Sequence, residues 1–140
     1  MTGGALAGIR VLDLSEWVAG PYCGRLFAGL GADVVKVELP CGDRARRAGP
    51  FPADKPQPEA SGLFLYLNAG KRGITLDWRT PSGLALLHRL ITNADVVIES
   101  SGINQLGLEA EVGGGLCLLA FSCHIDQGLM GHGRAAAVYR

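Results

Sequence analysis

Short β-branched runs alternate along the chain with stretches whose apolar residues recur at helical spacing. Ile9-Arg-Val-Leu-Asp-Leu14 is the first run, and Ser-Glu-Trp-Val-Ala-Gly-Pro follows it as a turn. Pro21 suits the first turn of a helix, where its missing N–H would be unpaired in any case. Tyr22, Leu26, Phe27 and Leu30 then share one helical face, and Gly31 ends the helix. Asp33-Val-Val-Lys-Val-Glu38 predicts a second strand, Gly73-Ile-Thr-Leu-Asp77 a third and Asp95-Val-Val-Ile-Glu99 a fourth. Leu63 to Leu67 read as a short helix. Thr80-Pro-Ser-Gly opens another, with Leu84, Leu87, His88 and Ile91 on one side. Leu116 to Ser122 is a candidate fifth strand.

Strand, helix, strand repeated at this interval predicts an α/β fold with a mostly parallel sheet and helices on both faces. Ligands of such sheets bind outside the carboxyl ends of the strands. Those ends are Ser15 to Pro21, Leu39 to Asp43, Asp77 to Arg79, and Ser100 to Gly102. Residues 40–60 hold five of the seven prolines together with Arg44, Arg46 and Arg47, which predicts a long loop, either functional or disordered.

Composition narrows the function classes. The 140 residues suffice for one compact domain, and 48% apolar with 19% charged residues is ordinary for a globular protein. Thirteen basic and thirteen acidic side chains cancel, which gives no electrostatic reason to expect nucleic acid or an anionic membrane as partner. The apolar run Leu116 to Phe121 is far too short to span a membrane, and no secretion signal opens the chain, so a cytoplasmic location is expected. Cys23, Cys41, Cys117 and Cys123 lack C-x-x-C spacing and read as reduced thiols rather than a disulfide or metal set. His124 adjoins Cys123, and neighbours on a strand face opposite ways, so no metal is expected there.

The turn after the first strand leads into a helix N-terminus, whose free N–H groups and partial positive charge suit a phosphate or pyrophosphate. Gly20-Pro-Tyr-Cys-Gly24 is not the dinucleotide glycine fingerprint, although Glu38 stands where such folds place a ribose-binding acid. Arg44, Arg46, Arg47, Lys71, Arg72 and Arg79 read as positive charge near that edge, either for a polyphosphate ligand or as a solvated surface. Trp17 and Trp78 fall on loops there, as stacking faces for an adenine or as lids over the core.

Several strings in order resemble family III CoA-transferases, the group of formyl-CoA transferase, carnitine CoA-transferase and α-methylacyl-CoA racemase. They are Gly8-Ile-Arg-Val-Leu-Asp-Leu-Ser, Ala19-Gly-Pro, Leu30-Gly-Ala-Asp-Val-Val-Lys-Val-Glu38, Leu67-Asn-Ala-Gly-Lys-Arg-Gly-Ile-Thr-Leu-Asp77 and Ala94-Asp-Val-Val-Ile-Glu99. The resemblance runs from about residue 7 to 101. It implies a Rossmann-like CoA-binding part, a smaller second domain and interlocked homodimers; a chain too short to complete that second domain is expected to self-associate. It also implies acyl-CoA and a carboxylic acid as partners, with coenzyme A as substrate and no metal. By position, CoA contacts are expected from Val18 and Ala19, from Leu76, Asp77, Trp78 and Arg79, and from Ser101 and Gly102. Arg79 matches a basic position that meets the adenosine phosphate.

The chain departs from the family pattern in places. Leu39 stands where an arginine is common, Glu99-Ser100-Ser101 replaces Glu-Asn-Phe/Tyr, and Gln105 takes a second arginine position. The family's catalytic aspartate, which attacks the acyl-CoA thioester, is expected beyond residue 140, so no catalytic residue is assigned. His132 echoes the racemase histidine only faintly. Residues 1–112 are therefore read as the CoA-binding N-terminal part and 113–140 as a divergent or truncated tail. The rival readings are a non-catalytic CoA or nucleotide module, a nicotinamide-dependent oxidoreductase fragment, a racemase-like fragment, and a remnant without ligand.

Overall fold

The computed structural model describes residues 3–100, 117–122 and 134–138. Six strands, β1 (Arg10–Asp13), β2 (Asp33–Glu38), β3 (Arg72–Thr75), β4 (Val96–Glu99), β5 (Cys117–Ser122) and β6 (Arg134–Val138), form one sheet in the order β3-β2-β1-β4-β5-β6. The first five are parallel and β6 runs antiparallel to β5. The three helices are α1 (Ala19–Gly29), α2 (Gly62–Asn68) and α3 (Pro81–Ile91).

The predicted mostly parallel sheet with helices on both faces is therefore present, and alternation along the strands explains it. Val11, Val34, Val96 and Ile98 point to one face, where Cys23, Phe27 and Ala28 of α1 cover them. Leu12, Val37 and Val97 point to the other, against Leu87 and Ile91 of α3. Leu87 and Val97 are wholly buried, and each such side chain contributes about 1.5–3 kcal/mol of burial. Gly31 ends α1 as expected. It adopts φ +96°, its N–H donates to Ala28 at 3.0 Å, and the Ala32 N–H reaches back to Phe27 at 3.1 Å. This is a Schellman closure, which glycine permits at little strain.

Two stretches differ from the sequence reading, and β6 is a strand where that reading placed none. β3 ends at Thr75 rather than at residue 77, because the Leu76 N–H makes the last bond, to the Glu38 carbonyl at 2.8 Å. The Asp77 carboxylate then turns to its own loop and accepts from the Arg79 N–H at 3.2 Å. The proline-rich stretch 40–60 is built rather than loose. It holds three short 3-10 turns, Arg44–Arg47, Pro52–Asp54 and Pro58–Ala60, tied by the buried Ser61 hydroxyl to the carbonyls of Ala45 (2.7 Å) and Ala48 (2.6 Å).

Candidate functional site

In the order 3-2-1-4-5 the chain leaves β1 in one direction for β2 and β3 and in the other for β4 and β5. The carboxyl ends of β1 and β4 thus border the crevice where ligands of such sheets sit. The turn from Leu14 to Val18 occupies that place. Its N–H groups are taken one after another. Leu14 donates to the Ile98 carbonyl at 2.8 Å and Ser15 to Asp13 Oδ1 at 3.0 Å. Glu16 donates to Ser100 Oγ at 2.9 Å and Trp17 to Asp43 Oδ1 at 3.1 Å. There the series stops. Among the described residues no partner meets the N–H groups of Val18, Ala19 and Gly20, and no side chain caps α1. By contrast, Ser61 caps α2 through the Phe64 N–H and Thr80 caps α3 through the Gly83 N–H, each at 3.1 Å.

The floor of the turn is charged and buried. Asp13, wholly buried, faces the Lys71 ammonium at 2.7 Å. Lys71 also donates to the Pro21 carbonyl (2.7 Å) and to Asn68 Oδ1 (2.8 Å). Burial pulls its pKa below the ordinary lysine value, and Asp13 opposes that shift. Lys36 lies beside it, bonded to the Ser15 carbonyl and to Asp43 Oδ2 at 3.0 Å. Two glycines let α1 lie down on this floor. A Cβ at Gly20 would collide with the Ser15 side chain, and one at Gly24 would come within 2.9 Å of Asp13 Oδ2. Cys23 sits over the same floor, and burial, reinforced by Asp13, raises its thiol pKa.

The structure brings together some of the predicted site residues. Val18 and Ala19 are exposed at the start of α1. Leu76, Asp77, Trp78 and Arg79 follow β3, two strands away across the same edge, a separation of about 10 Å. Trp78 and Leu76 also pack on the core beside Leu87, so Trp78 serves as a lid there. Ser101 and Gly102 lie outside the described residues, as do Gln105, Cys123, His124 and His132. Exposed Arg79 already forks onto Asp77, at 2.8 and 3.0 Å. That guanidinium holds the Asp77 pKa below the carboxylate range.

The positive edge is less positive than its sequence suggests. Arg46 clamps Glu38 at 2.7 and 2.8 Å, Arg44 lies 3.6 Å from Glu16 and Arg47 donates to the Cys41 carbonyl. Lys71 is inside, and Arg72 pairs with Asp33 at 2.6 Å, at the opposite, amino end of the strands. Glu38 is likewise unavailable as a ribose ligand. Burial pushes its pKa up, but hydrogen bonds from Arg46 and the Asp43 N–H outweigh this and leave it below the ordinary value. A cleft of about 260 Å³ beside this pair is lined by Leu39, Cys41, Gly42, Glu59 and Thr75. Among the described residues no His, Cys, Asp and Glu cluster can hold a metal, and no helix is long and apolar enough to cross a membrane.

With this geometry in view, comparison with known proteins decides the family. Residues 6–111 match CoA-transferase family III. The chain belongs to that family. Succinyl-CoA:mesaconate CoA-transferase of Haloarcula hispanica is 46% identical over 97 residues, which are 69% of this chain and 24% of that protein. Formyl-CoA:oxalate CoA-transferase of Streptomyces coelicolor is 44% identical over 103 residues, 73% of this chain and 24% of its own length. This chain therefore spans about a quarter of the length of these curated relatives. Among solved structures, a CaiB/BaiF family protein from Brucella suis superposes with a TM-score of 0.67 at 40% identity, covering 79% of this chain and 30% of that one. A Mycobacterium tuberculosis protein gives 0.71 at 34% identity, covering 84% and 34%.

The sequence reading of this family III chain missed Asp13 and Lys36; it named Ser15 and Asp43 only as bounds of the strand-end loops, and Lys71 as charge at the edge rather than as the buried partner of Asp13. A signal was present. Asp13 and Lys36 stand next to Val11, Leu12, Val34 and Val37 at buried strand positions, where a charge is tolerated only with a partner.

Proposed function

We propose that this chain is the CoA-binding portion of a family III CoA-transferase, in which acyl-CoA and a carboxylic acid exchange the CoA group. The observation that carries the reading is the uncapped start of α1 at the switch point of the sheet, where Val18 and Ala19 are exposed, Gly20 lies buried behind them, and the N–H groups of all three meet no partner among the described residues. A pyrophosphate satisfies such groups and is favoured by the helix dipole. Leu76, Asp77, Trp78 and Arg79 are assigned to the adenosine end, with Arg79 leaving Asp77 in part to meet a phosphate. Ser101 and Gly102 complete the assigned contacts. Relatives named for succinyl-CoA and formyl-CoA substrates support the thioester class. Reaction of the thioester belongs to the whole transferase, and no residue of this chain is assigned as its nucleophile.

Calorimetry with CoA, dephospho-CoA and NAD tests the reading. CoA should bind best, dephospho-CoA less well and NAD least, since Glu38 is clamped by Arg46 and the dinucleotide glycines are absent. Arg79→Ala should weaken CoA roughly tenfold, the scale of one charge-assisted contact, and leave dephospho-CoA nearly unchanged. Preference for NAD, or an unaltered CoA affinity in Arg79→Ala, would remove this assignment.

A further inference from the structure

We propose that Lys36 and Asp43 are positioning residues for the CoA site. From beneath the β1–α1 turn they fix residues 15–17, so that the N–H groups of Val18 to Gly20 are the ones left for an anion. The inference rests on the reading of that turn as a CoA site, and it concerns two residues that do not reach the ligand.

Trp17 is the strained residue of this turn. A bulky residue at φ +72° sits in a region that L side chains adopt at a penalty, and it stays there only if its surroundings hold it. What holds it comes from 26 residues away: Asp43 Oδ1 accepts the Trp17 N–H at 3.1 Å. The other oxygen, Oδ2, meets Lys36 Nζ at 3.0 Å, and both side chains are sealed from water, 0% and 2% exposed. Asp43 is itself fixed, since its Oδ1 also accepts the Ala45 N–H at 2.8 Å and its own N–H donates to Glu38 at 3.0 Å. Lys36 adds a second function. It draws the Ser15 carbonyl inward, away from a site where an oxygen would repel phosphate. An inward carbonyl and a captured Trp17 N–H together define where the free donors begin. The other cations and acids facing this pair are Lys71 and Asp13, which are paired with each other, and Glu38, which is paired with Arg46.

The test compares Asp43→Asn with Asp43→Ala in the full 140-residue chain. Both remove the charge facing Lys36, and in Asp43→Asn the amide NH2 is turned toward that ammonium, so the Lys36 contact favours neither the Asn variant nor its CoA affinity. Only Asn keeps an oxygen for the Trp17 N–H. Amide hydrogen exchange read by NMR should show the Trp17 N–H exchanging about tenfold faster in Asp43→Ala than in Asp43→Asn, with the Leu14 N–H alike in both. CoA affinity should be roughly three- to tenfold weaker in Asp43→Ala than in Asp43→Asn, the scale of one displaced hydrogen bond. Equal Trp17 exchange in the two variants overturns the proposal, and so does faster exchange with equal CoA affinity. If neither single variant folds, Lys36→Met with Asp43→Leu removes both charges at once, a replacement that buried pairs often tolerate. That double variant should lose protection at Trp17 and CoA affinity together, and retention of either overturns the inference. Failure of the unaltered chain to bind CoA defeats the CoA reading instead, and the exchange comparison then decides whether Asp43 positions the turn.

Discussion

At the scale of single residues, the charges that matter most are those paid for by a partner. Glu38 shows this through pH. Its folded pKa lies below its ordinary value of 4.5 because Arg46 and the Asp43 N–H stabilise the ionised form against the opposing effect of burial. A depressed folded pKa means that the stabilisation is present above the unfolded value and is lost as pH falls through the folded one. The parent chain should therefore unfold at lower urea concentration on acidification below about pH 4.5. Glu38→Gln should be about 1–3 kcal/mol less stable at neutral pH and should flatten that part of the acid slope. A parallel acid slope in Glu38→Gln would assign the loss to other carboxylates. The sequence shows Glu38 as a strand-end acid suited to a ribose, and residue spacing alone does not reveal that Arg46 returns from a later turn to clamp it. Asp13 and Lys36 were legible in principle, as charges set among Val11, Leu12, Val34, Val35 and Val37 of the first two strands.

Elements in this fold are fastened by small hydroxyl groups, with unequal duties. Thr80 caps α3 and its hydroxyl donates to the Asp77 carbonyl at 2.8 Å, near solvent. Ser61 caps α2 but is wholly buried, and it also serves the carbonyls of Ala45 and Ala48 in the preceding loop. Thr80→Ala should lower stability by about 0.5–1 kcal/mol, as an exposed cap does. Ser61→Ala should lower it by about 2–3 kcal/mol, because buried carbonyls lose their donor. Thermal unfolding of the two variants side by side checks the order, and equal losses would mean that the loop does not depend on Ser61. The strands were readable because β-branched runs of four to six residues between helical patterns admit few other arrangements. The order of residues 44–60 was not readable, since proline-rich composition resembles that of a loose loop. β6 was not anticipated either, because the alanines of Arg134–Val138 carry little strand preference.

Over the whole molecule, α/β architecture and family were both legible, since five motifs in fixed order constrain the topology strongly. Half the candidate site was legible as well: Val18 and Ala19 stand at a helix start where their N–H groups meet no partner among the described residues, whereas the charged floor beneath them draws on residues 13, 36, 43 and 71, which only the tertiary fold unites. Large apolar side chains lie open on the surface, with Leu65 at 56%, Tyr66 at 52% and Leu86 at 47% exposure, and every residue of edge strand β3 is exposed. Open edges and apolar patches favour pairing with another chain. Sedimentation of the chain should show concentration-dependent self-association, reduced by Leu65→Lys with Leu86→Lys, and a monomer at all concentrations would refute it. The burial of Lys36 and Lys71 has a further consequence, for amine chemistry. Thioesters acylate unprotonated lysine amines without a catalyst, yet of the three lysines in this chain two are sealed, with side chains 2% and 1% exposed, and only Lys55 is open to solvent. Incubation with a reactive acyl thioester, followed by peptide mass spectrometry, should mark Lys55 while Lys36 and Lys71 react only after urea is added. The fold thereby shields two of its own amines from the reagent class that its relatives handle.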